Sequence, residues 1–468
     1  MYRTFIQICL IFFSLQSYGQ GIIISDPVEL ELDYYYNLLG KQNDKYYFLK
    51  GGDLDYEIFG FDKDLKKLWS TEFKMDKKRP KFIDAELYNK EINVIYHSDS
   101  KNAAELKLTK HDLSGNIRDT INLGTIYDKL SIRTDLEVAS SENKRYKLIW
   151  NQQISGMVNF WIIDLEKDSL LASNKFDLER PFGPNQYHKF LISNKGLAYM
   201  VLGVHNYPRR KTTHAYKLFK LNKAEDIFRR SIELTMMGNY TVSSDFIYDN
   251  LNDQIVGGGL YGTENVEETT GVFYMRIPLN RNLPKVREFN PVNFDEYMFS
   301  NKKRAKDQFN NVRVQELVLG ANGELITICE QVKFRVYSDQ VVRTAEVKTD
   351  FYYNNMFLIS MNAKGKIFWI NTLKKSQTSQ NDLGIYSSFF LYKDPRALRL
   401  IFNDYINQNG TVSEYIVRGD GKYDRDIVFN TEQKNLGLRM RDSEQVSHNE
   451  FIIPSENKKT IKLVSVIF

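Results

Sequence analysis

Residues 355–373 read NMFLISMNAKGKIFWINTL, and residues 316–328 before them read ELVLGANGELITI. Each stretch places strand-like residues on both sides of a short polar turn that contains glycine and asparagine, the residues that tight β-hairpins favour. Together they predict two antiparallel hairpins in succession. Whether this four-stranded unit recurs along the chain decides the fold class.

The second hairpin of the unit does recur. Related segments begin at Tyr56, Glu105, Met157, Ala215, Gly271, Asn355 and Ser413. Hairpins of the first kind precede several of them, for example at Ala85, Leu136 and Lys189. The starts are about 50 to 60 residues apart, with one longer interval before Asn355, which is near the length of a propeller blade with insertions. Four strands per repeat predict a β-propeller.

The two ends of the chain complete one blade in this interpretation. The first blade begins near Tyr34, and the last unit, from Ser443, contains only the strands SEQVSH, EFIIPS and KTIKLVSVIF. The segment GIIISDPVELEL, residues 21–32, has no hairpin partner of its own and can supply the missing strand. Closure of the ring would remove exposed strand edges. We predict an all-β domain over residues 20–468, a single β-propeller of about eight four-stranded blades, with seven as the alternative.

The first residues have the layout of a secretory signal peptide. Arg3 precedes an apolar run, and the small residues Ser17 and Gly19 occupy the positions that a signal peptidase recognises. The apolar run is roughly 10 residues long and a membrane span needs ~20, so a membrane anchor is the weaker interpretation. We predict a signal peptide over residues 1–19 and a periplasmic or extracellular protein with no membrane span.

The charge balance and the cysteine content limit which classes of partner and which cysteine chemistry this chain can have. The chain has 64 Lys and Arg residues, 59 Asp and Glu residues and a formal net charge of +5, a balance that argues against nucleic acid as a partner. Removal of the signal peptide leaves Cys329 as the one cysteine, so no internal disulfide can form. Its surroundings, ITICEQV, alternate like a strand and predict a buried structural thiol rather than a nucleophile.

Two hairpins share a further feature. FDKDLKKLWSTEF from Phe61 and MNAKGKIFWINTL from Met361 place an acidic or amide residue, a turn and then Trp69 or Trp369. This pattern resembles the repeat of quinoprotein-like propellers, including the non-catalytic outer-membrane-assembly propellers. The resemblance implies that each tryptophan docks one blade onto the next. Because nothing in the sequence matches that family's site for the quinone or its metal, we predict no cofactor.

Loop lengths predict which face of the ring binds. Turns within hairpins are short and share one face, whereas the longer connections lie on the other, and insertions in repeat proteins concentrate on the binding face. Three long connections are basic, and a segment from Glu330 alternates like a hairpin that stands off the ring; an acidic loop from Tyr261 is expected on the same face. The candidate binding residues are Lys77, Lys78, Arg79, His205, Arg209, Arg210, Lys211, His214, Lys302, Lys303, Arg304, Arg335 and Tyr337.

Metal sites are weaker interpretations of two of these regions. His205 and His214 flank one basic loop, but no acidic or cysteine partner lies near them in sequence, so solvated loop histidines are the simpler assignment. The segment GDGKYDRD from Gly419 has alternating carboxylates like a calcium loop, yet it falls where a tight hairpin turn is required.

No motif identifies an enzyme. The sequence contains no GxSxG, but paired carboxylates for glycoside cleavage leave no sequence signature because their proximity is spatial. The leading interpretation is a non-enzymatic binding or scaffold protein of the cell envelope, a monomer or part of a complex, that binds an envelope protein or an anionic glycan. The alternative is a hydrolase or lyase that acts on a polysaccharide with carboxylates lining the propeller channel.

Overall fold

Eight antiparallel sheets follow one another around a ring in the computed structural model of this chain. The structure describes residues 21–30, 34–52, 54–75, 80–99, 103–126, 136–178, 181–183, 186–205, 213–221, 231–264, 268–279, 285–297, 311–338, 347–406, 410–431, 436–457 and 459–468. Every sheet contains a four-stranded antiparallel meander, so the protein is an eight-bladed β-propeller and the predicted fold class is confirmed.

The blades are numbered along the chain, and the strands of each blade are named a to d from the channel outward. Blade 1 comprises Tyr35–Gln42, Lys45–Gly51, Asp55–Phe61 and Lys67–Lys74, and blade 2 comprises Lys81–Tyr88, Glu91–Asp99, Ala104–His111 and Ile117–Ile126. Blade 3 comprises Glu137–Ser140, Tyr146–Gln152, Met157–Asp164 and Ser169–Asp177, and blade 4 comprises His188–Ile192, Ala198–His205, Thr213–Lys220 and Ile232–Thr235.

Blades 5 to 8 repeat this order with additions. Blade 5 comprises Tyr240–Asp249, Gln254–Gly262, Gly271–Pro278 and Val286–Pro291, and blade 6 comprises Val312–Leu319, Leu325–Ser338, Val347–Met361 and Ile367–Leu373, with Gln377–Gln380 as a fifth strand. Blade 7 comprises Phe390–Asp394, Ala397–Asn403, Thr411–Arg418 and Tyr423–Asn430. Blade 8 comprises Glu444–Ser447, Glu450–Asn457, Thr460–Ile467 and Gly21–Ile24, with Val28–Glu29 beside them. Two short 3-10 helices, Phe294–Tyr297 and Met440–Asp442, lie in connections between blades.

Blade 8 is built from both ends of the chain. Strand Gly21–Ile24 pairs antiparallel with Thr460–Ile467, in a register that sets Ile24 opposite Val464. The ladder continues because the backbone N–H of Ser25 donates to the carbonyl oxygen of Leu463 at 2.9 Å. The predicted closure of the ring by the N-terminal strand is therefore confirmed.

The hydrophobic core is divided among the blade interfaces. Among the described residues, eight clusters of buried apolar side chains each combine two neighbouring blades. In the cluster between blades 3 and 4, for example, Trp150 stacks on Phe190 with ring centroids 4.3 Å apart. Since each buried large apolar side chain contributes about 1.5–3 kcal/mol, a blade is stable only between its neighbours.

Glycine residues allow two neighbouring blades to approach each other closely at one of these interfaces. Strand b of blade 5 contains Gly257, Gly258 and Gly259, and a Cβ atom on Gly258 would lie 2.7 Å from Cδ2 of Leu325 in blade 6. A side chain there would push the two blades apart. The glycine run therefore serves the close packing of strands.

The two tryptophans dock blades, as the family resemblance implied. Trp69 on the outer strand of blade 1 lies against Gly115 in a turn of blade 2, and Trp369 of blade 6 lies against Gly421 of blade 7. The indole N–H of Trp369 also donates to the carbonyl oxygen of Gly419 at 3.0 Å. The segment from Gly419 is thus a tight hairpin turn that receives the neighbouring blade.

Proline at position 23 tests the closure. The alternation of the antiparallel ladder directs the Ile23 N–H toward Ser465, which is fully buried. Ile23→Pro removes that donor and leaves a buried carbonyl oxygen without a partner, whereas Ile23→Ala keeps it. In urea unfolding, the proline variant should be less stable than the alanine variant by about 1–3 kcal/mol. Equal stabilities would show that this strand does not hold the ring closed.

Alanine at Gly421 tests the tryptophan contact, with Gly419 as a matched control. Gly421 has a φ of +85°, and its Cβ would lie 2.8 Å from the Trp369 ring, whereas nothing lies within 4 Å of a Cβ on Gly419. We expect Gly421→Ala to lower the free energy of unfolding by about 1–2 kcal/mol and Gly419→Ala to change it by less than about 0.5 kcal/mol. Thermal and urea unfolding measure both; similar losses in the two variants would contradict the docking role.

Candidate functional site

The meander separates two kinds of connection. Connections a–b and c–d lie at one end of the strands, here called the turn face, while b–c and d–a connections lie at the other end, the connection face. Strand d of blade 1 ends at Lys74 and strand a of blade 2 begins at Lys81, so these two strand ends lie at the connection face. The strand ends at His205 and Thr213 in blade 4, at Pro291 in blade 5 and at Val312 in blade 6 lie at the same face.

Asparagine side chains tie together part of the turn face. The N–H of Asn143 donates to Oδ1 of Asn194 at 2.9 Å, and the N–H of Asn194 donates to Oδ1 of Asn250 at 2.7 Å. The Asn250 amide then donates to Oε2 of Glu142 at 2.9 Å. These bonds link the a–b turns of blades 3, 4 and 5, so this side of the ring is committed to internal contacts.

Most of the candidate cations cannot be positioned individually. The following lie outside the described residues: Lys77, Lys78, Arg79, Arg209, Arg210, Lys211, Lys302, Lys303 and Arg304. The described strands on either side of these residues end at the connection face. These residues remain predictions.

The two candidate histidines lie in strands rather than in the loop that they flank. His205 ends strand b of blade 4 opposite Thr213, and His214 follows in strand c. In the His214 ring, the buried Nδ1 has no hydrogen-bond partner among the residues that the structure describes. Within the described part of the chain, no three or more His, Cys, Asp or Glu side chains are grouped as a metal site would require.

Arg335 and Tyr337 lie on a projection of blade 6. Its strands b and c continue beyond the body of the blade, pairing from Val332 opposite Tyr353 to Ser338 opposite Val347. The strand Gln377–Gln380 pairs with the outer side of strand c over this length. We call residues 332–338, 347–353 and 377–380 the arm. The hairpin predicted from Glu330 is present; its third strand was not predicted.

One face of the arm is polar. Alternation along the strand puts Arg335 and Tyr337 on this face, with the guanidinium carbon 5.7 Å from the centre of the Tyr337 ring. The amide of Gln380 donates to Oδ1 of Asp350 at 2.7 Å and to the Tyr337 hydroxyl at 2.9 Å. The structure therefore brings together Arg335 and Tyr337 and fixes the tyrosine through two neighbouring strands.

The opposite face of the arm is apolar and exposed. Phe334, Val336 and Val347 are 54%, 61% and 62% exposed. Their cross-strand partners on the same face, Phe351 opposite Phe334 and Thr349 opposite Val336, extend this surface. The alternating sequence FRVYS predicted the strand, but its position away from the blade core explains why its apolar side chains remain accessible to solvent.

A buried ion pair fixes the base of the arm. Nζ of Lys375 lies 2.5 Å from Oε1 of Glu330, and both side chains are fully buried. Lys375 also donates to Oε1 of Gln377 at 2.6 Å, and Ser388 donates to Oε2 of Glu330 at 2.6 Å. Burial lowers the pKa of Lys375, while the Glu330 carboxylate favours its charged form. This network positions the third strand beside the hairpin.

The connection between blades 7 and 8 forms a second feature that sequence reasoning missed. Residues 439–444 separate two cavities of about 600 and 420 Å³. The Tyr36 hydroxyl donates to Oδ2 of Asp442 at 2.6 Å, and Arg441 lies over the Tyr353 ring, 4.6 Å from its centre. The segment thus contacts both blade 1 and the base of the arm. Its charged sequence, RMRDSE, gave no indication of these distant partners.

The closely spaced carboxylates near the channel are held in ion pairs. Nζ of the buried Lys147 lies 2.6 Å from Asp84 and 2.8 Å from Glu86, while Lys144 lies 3.0 Å from Glu86 and 2.8 Å from Glu444. Glycoside cleavage requires a carboxyl acid and a carboxylate that can both reach substrate. Asp84 and Glu86 instead share the buried Lys147, and Glu86 also pairs with Lys144, an arrangement typical of structural ion pairs.

Cys329 is a structural thiol, as predicted. Its side chain is fully buried in the interface between blades 5 and 6, and burial raises its pKa well above the usual range. A thiol with these properties is a poor nucleophile at neutral pH because little thiolate forms.

The sheet order described above defines the chain as a β-propeller. No protein-family model and no curated protein sequence matches the chain. Similar solved structures include BamB from Moraxella catarrhalis, at 10% identity and a TM-score of 0.44 over 96% of this chain and 100% of that chain.

Two further solved structures are similar to this chain. Polysaccharide lyase Uly1 is 11% identical with a TM-score of 0.39 over 82% of this chain and 89% of that chain. The β-propeller domain of the Trilobed protease from Pyrococcus furiosus is 9% identical with a TM-score of 0.36 over 88% and 98%. No helix in the described part of the chain is long and apolar enough to cross a membrane.

Two lysine variants test whether the channel ion pairs are structural. Lys147 and Lys144 both contact Glu86, but their side chains are 1% and 43% exposed. Lys147→Met leaves two carboxylates facing each other without a buried cation and should lower the free energy of unfolding by about 3–5 kcal/mol. Lys144→Met should cost less than about 1 kcal/mol because solvent screens that pair. Chemical denaturation distinguishes them; a small loss for Lys147→Met would reopen a catalytic role for these carboxylates.

Proposed function

We propose that this protein is a non-enzymatic binding scaffold of the cell envelope that uses its connection face to hold a protein partner. The observation that carries the proposal is the arm of blade 6. It presents Phe334, Val336 and Val347 to solvent on one face and Arg335 with Tyr337 on the other. Solvent-exposed apolar side chains grouped in this way are typical of interaction surfaces.

The chemistry of the arm favours a protein over a glycan. Phenylalanine and valine offer no hydrogen bonds to sugar hydroxyls, and they would gain by being buried against other apolar side chains. Arginine and tyrosine beside them are the residue types that contribute most strongly to protein interfaces. An anionic glycan would use the basic segments alone and leave the apolar face uncovered.

We expect the predicted basic segments to add a long-range contribution from the same face. Segments 76–79, 206–212 and 298–310 carry the predicted cations Lys77, Arg209 and Lys302 with their neighbours. Positive charge around a binding face accelerates encounter with an acidic partner and adds orientation more than affinity. The acidic loop from Tyr261 would limit how far this field extends.

The predicted signal peptide supports the proposed location. Cleavage after Gly19 would release a chain whose first paired strand begins at Gly21, so export and closure of the ring are compatible. The binding face would then act in the periplasm or outside the cell. A polysaccharide hydrolase or lyase is less favoured, because Asp84 and Glu86 near the channel are occupied by Lys147.

Charge reversal on each face tests the proposal. One variant changes Arg209, Arg210, Lys302, Lys303 and Arg304 to Glu. Its matched control changes five turn-face lysines, Lys63, Lys66, Lys195, Lys364 and Lys422, to Glu. Quantitative crosslinking mass spectrometry in the source cells should recover a reproducible envelope protein joined to connection-face peptides, and its recovery should fall at least about fivefold in the first variant only.

Three results would count against this function. Equal loss in the two variants would show a general effect of net charge. A partner crosslinked to the turn face would place binding on the wrong side. Absence of any reproducible protein, together with salt-sensitive binding of purified protein to immobilised anionic glycans, would replace the protein partner with a glycan.

A further inference from the structure

The arm leaves one long strand edge open. Strand a of blade 6, Val312–Leu319, pairs with strand b only between Gln331 and Leu325. Strand b nevertheless continues to Ser338, paired on its other side with strand c. Within the described ranges, no strand pairs with the edge of residues 333–338 that faces away from strand c. Open edges of this kind are templates for a further strand.

One hydrogen bond shows which backbone groups of strand b point toward the open edge and which point toward strand c. The N–H of Val332 donates to the carbonyl oxygen of Asn311 at 2.9 Å, away from strand c. Since backbone direction alternates along a strand, the N–H and C=O groups of Phe334 and Val336 also point to the open edge. The residues with available backbone groups are therefore those with the exposed apolar side chains.

We propose that residues 333–338 dock an extended segment of a partner protein, which adds a strand to the arm. The inference rests on the proposed function and names how that partner is held. Backbone hydrogen bonds to Phe334 and Val336 would supply affinity, and the alternating side chains would supply specificity. The blade is already rigid behind the arm, because Lys375 and Glu330 fix its base.

The two faces of the edge define the chemistry of the segment. Residues beside Phe334 and Val336 would be apolar, while residues on the opposite face would meet Lys333 and Arg335 and would be acidic. The incoming strand should therefore alternate apolar and acidic side chains. Opposite charges placed across a strand pair stabilise it by roughly 0.2–1 kcal/mol each.

A second copy of this chain fits the edge poorly. Antiparallel pairing of residues 333–337 with the same residues of another molecule would place Arg335 opposite Arg335. Like charges directly opposite one another are destabilising in a sheet. The charges on the edge therefore favour a different, acidic partner over self-association.

The test uses full-length protein and three synthetic peptides. The probe is the capped, fluorescein-labelled peptide EVEIEVE; the controls are KVKIKVK and EVEIEVE with N-methyl groups on alternate backbone nitrogens. Fluorescence anisotropy should show the acidic peptide binding at least about tenfold more tightly than either control, because one control lacks the charge match and the other lacks hydrogen-bond donors. Deuterium uptake of residues 332–338 should slow when the acidic peptide is bound.

Two substitutions at one position separate backbone from side-chain effects. Val336→Pro removes the outward N–H without breaking a bond to strand c and should weaken binding of EVEIEVE at least about tenfold. Val336→Thr keeps the N–H and the branched shape and should weaken it less than about threefold. Urea unfolding checks that Val336→Pro remains folded, and Arg335→Glu should shift the preference toward KVKIKVK.

The proposal is overturned if EVEIEVE does not bind, if its N-methylated form binds equally well, or if Val336→Pro leaves its affinity unchanged. Dimerisation through this edge in analytical ultracentrifugation would also overturn it, since the occupant would then be a second copy. If the Val336→Pro variant still crosslinks to the same envelope protein in cells, the proposed binding function is supported and only the proposed strand addition is contradicted. If EVEIEVE binds but no envelope partner is found, strand addition at this edge is supported and the proposed cellular function is contradicted.

Discussion

The antiparallel pairing of Gly21–Ile24 with Thr460–Ile467 is the contact on which the rest of the ring depends. Each blade buries its apolar faces only against its two neighbours, as the eight interface clusters show among the described residues. An open ring would leave two blades with an uncovered face and blade 8 with an open edge. Hydrogen bonds between segments far apart in sequence therefore protect apolar interfaces all round the molecule.

Closure also frees one face of the ring for other uses. The turn face is drawn together by short hairpins, by side chains such as Asn194 and by tryptophan contacts such as Trp369 against Gly421. These contacts require little chain length and leave few side chains available. The connection face contains the longer segments, so additions such as the arm can be accommodated there without disturbing the interfaces between blades.

Buried charge has a positional role in this protein. Lys147 joins blade 3 to blade 2 through Asp84 and Glu86, and Lys375 joins the connection after blade 6 to Glu330. Pairs of this kind gain little net free energy, because desolvation offsets most of the attraction. Their value is geometric: an unpaired charge in either place would be costly, so the elements that carry the partners are held in one arrangement.

The repeating unit, the closure of the ring and the hairpin of the arm could all be predicted from the amino-acid sequence. Each of these depends on local alternation and turn chemistry, which hairpins such as MNAKGKIFWINTL carry within a few residues. The same local logic predicted a structural role for Cys329 and the tight turn at Gly419.

The contacts among the remaining side chains depend on the folded ring and could not be predicted from the sequence. Asp442 bonds to Tyr36 although the two are far apart in sequence, and Gln377–Gln380 joins the arm after the chain has left blade 6. The open edge at Phe334 exists because strand a ends before strand b does, a difference that alternation cannot reveal. Local patterns specify which residues form strands, whereas the distances between blades arise only when the ring closes and its interfaces pack.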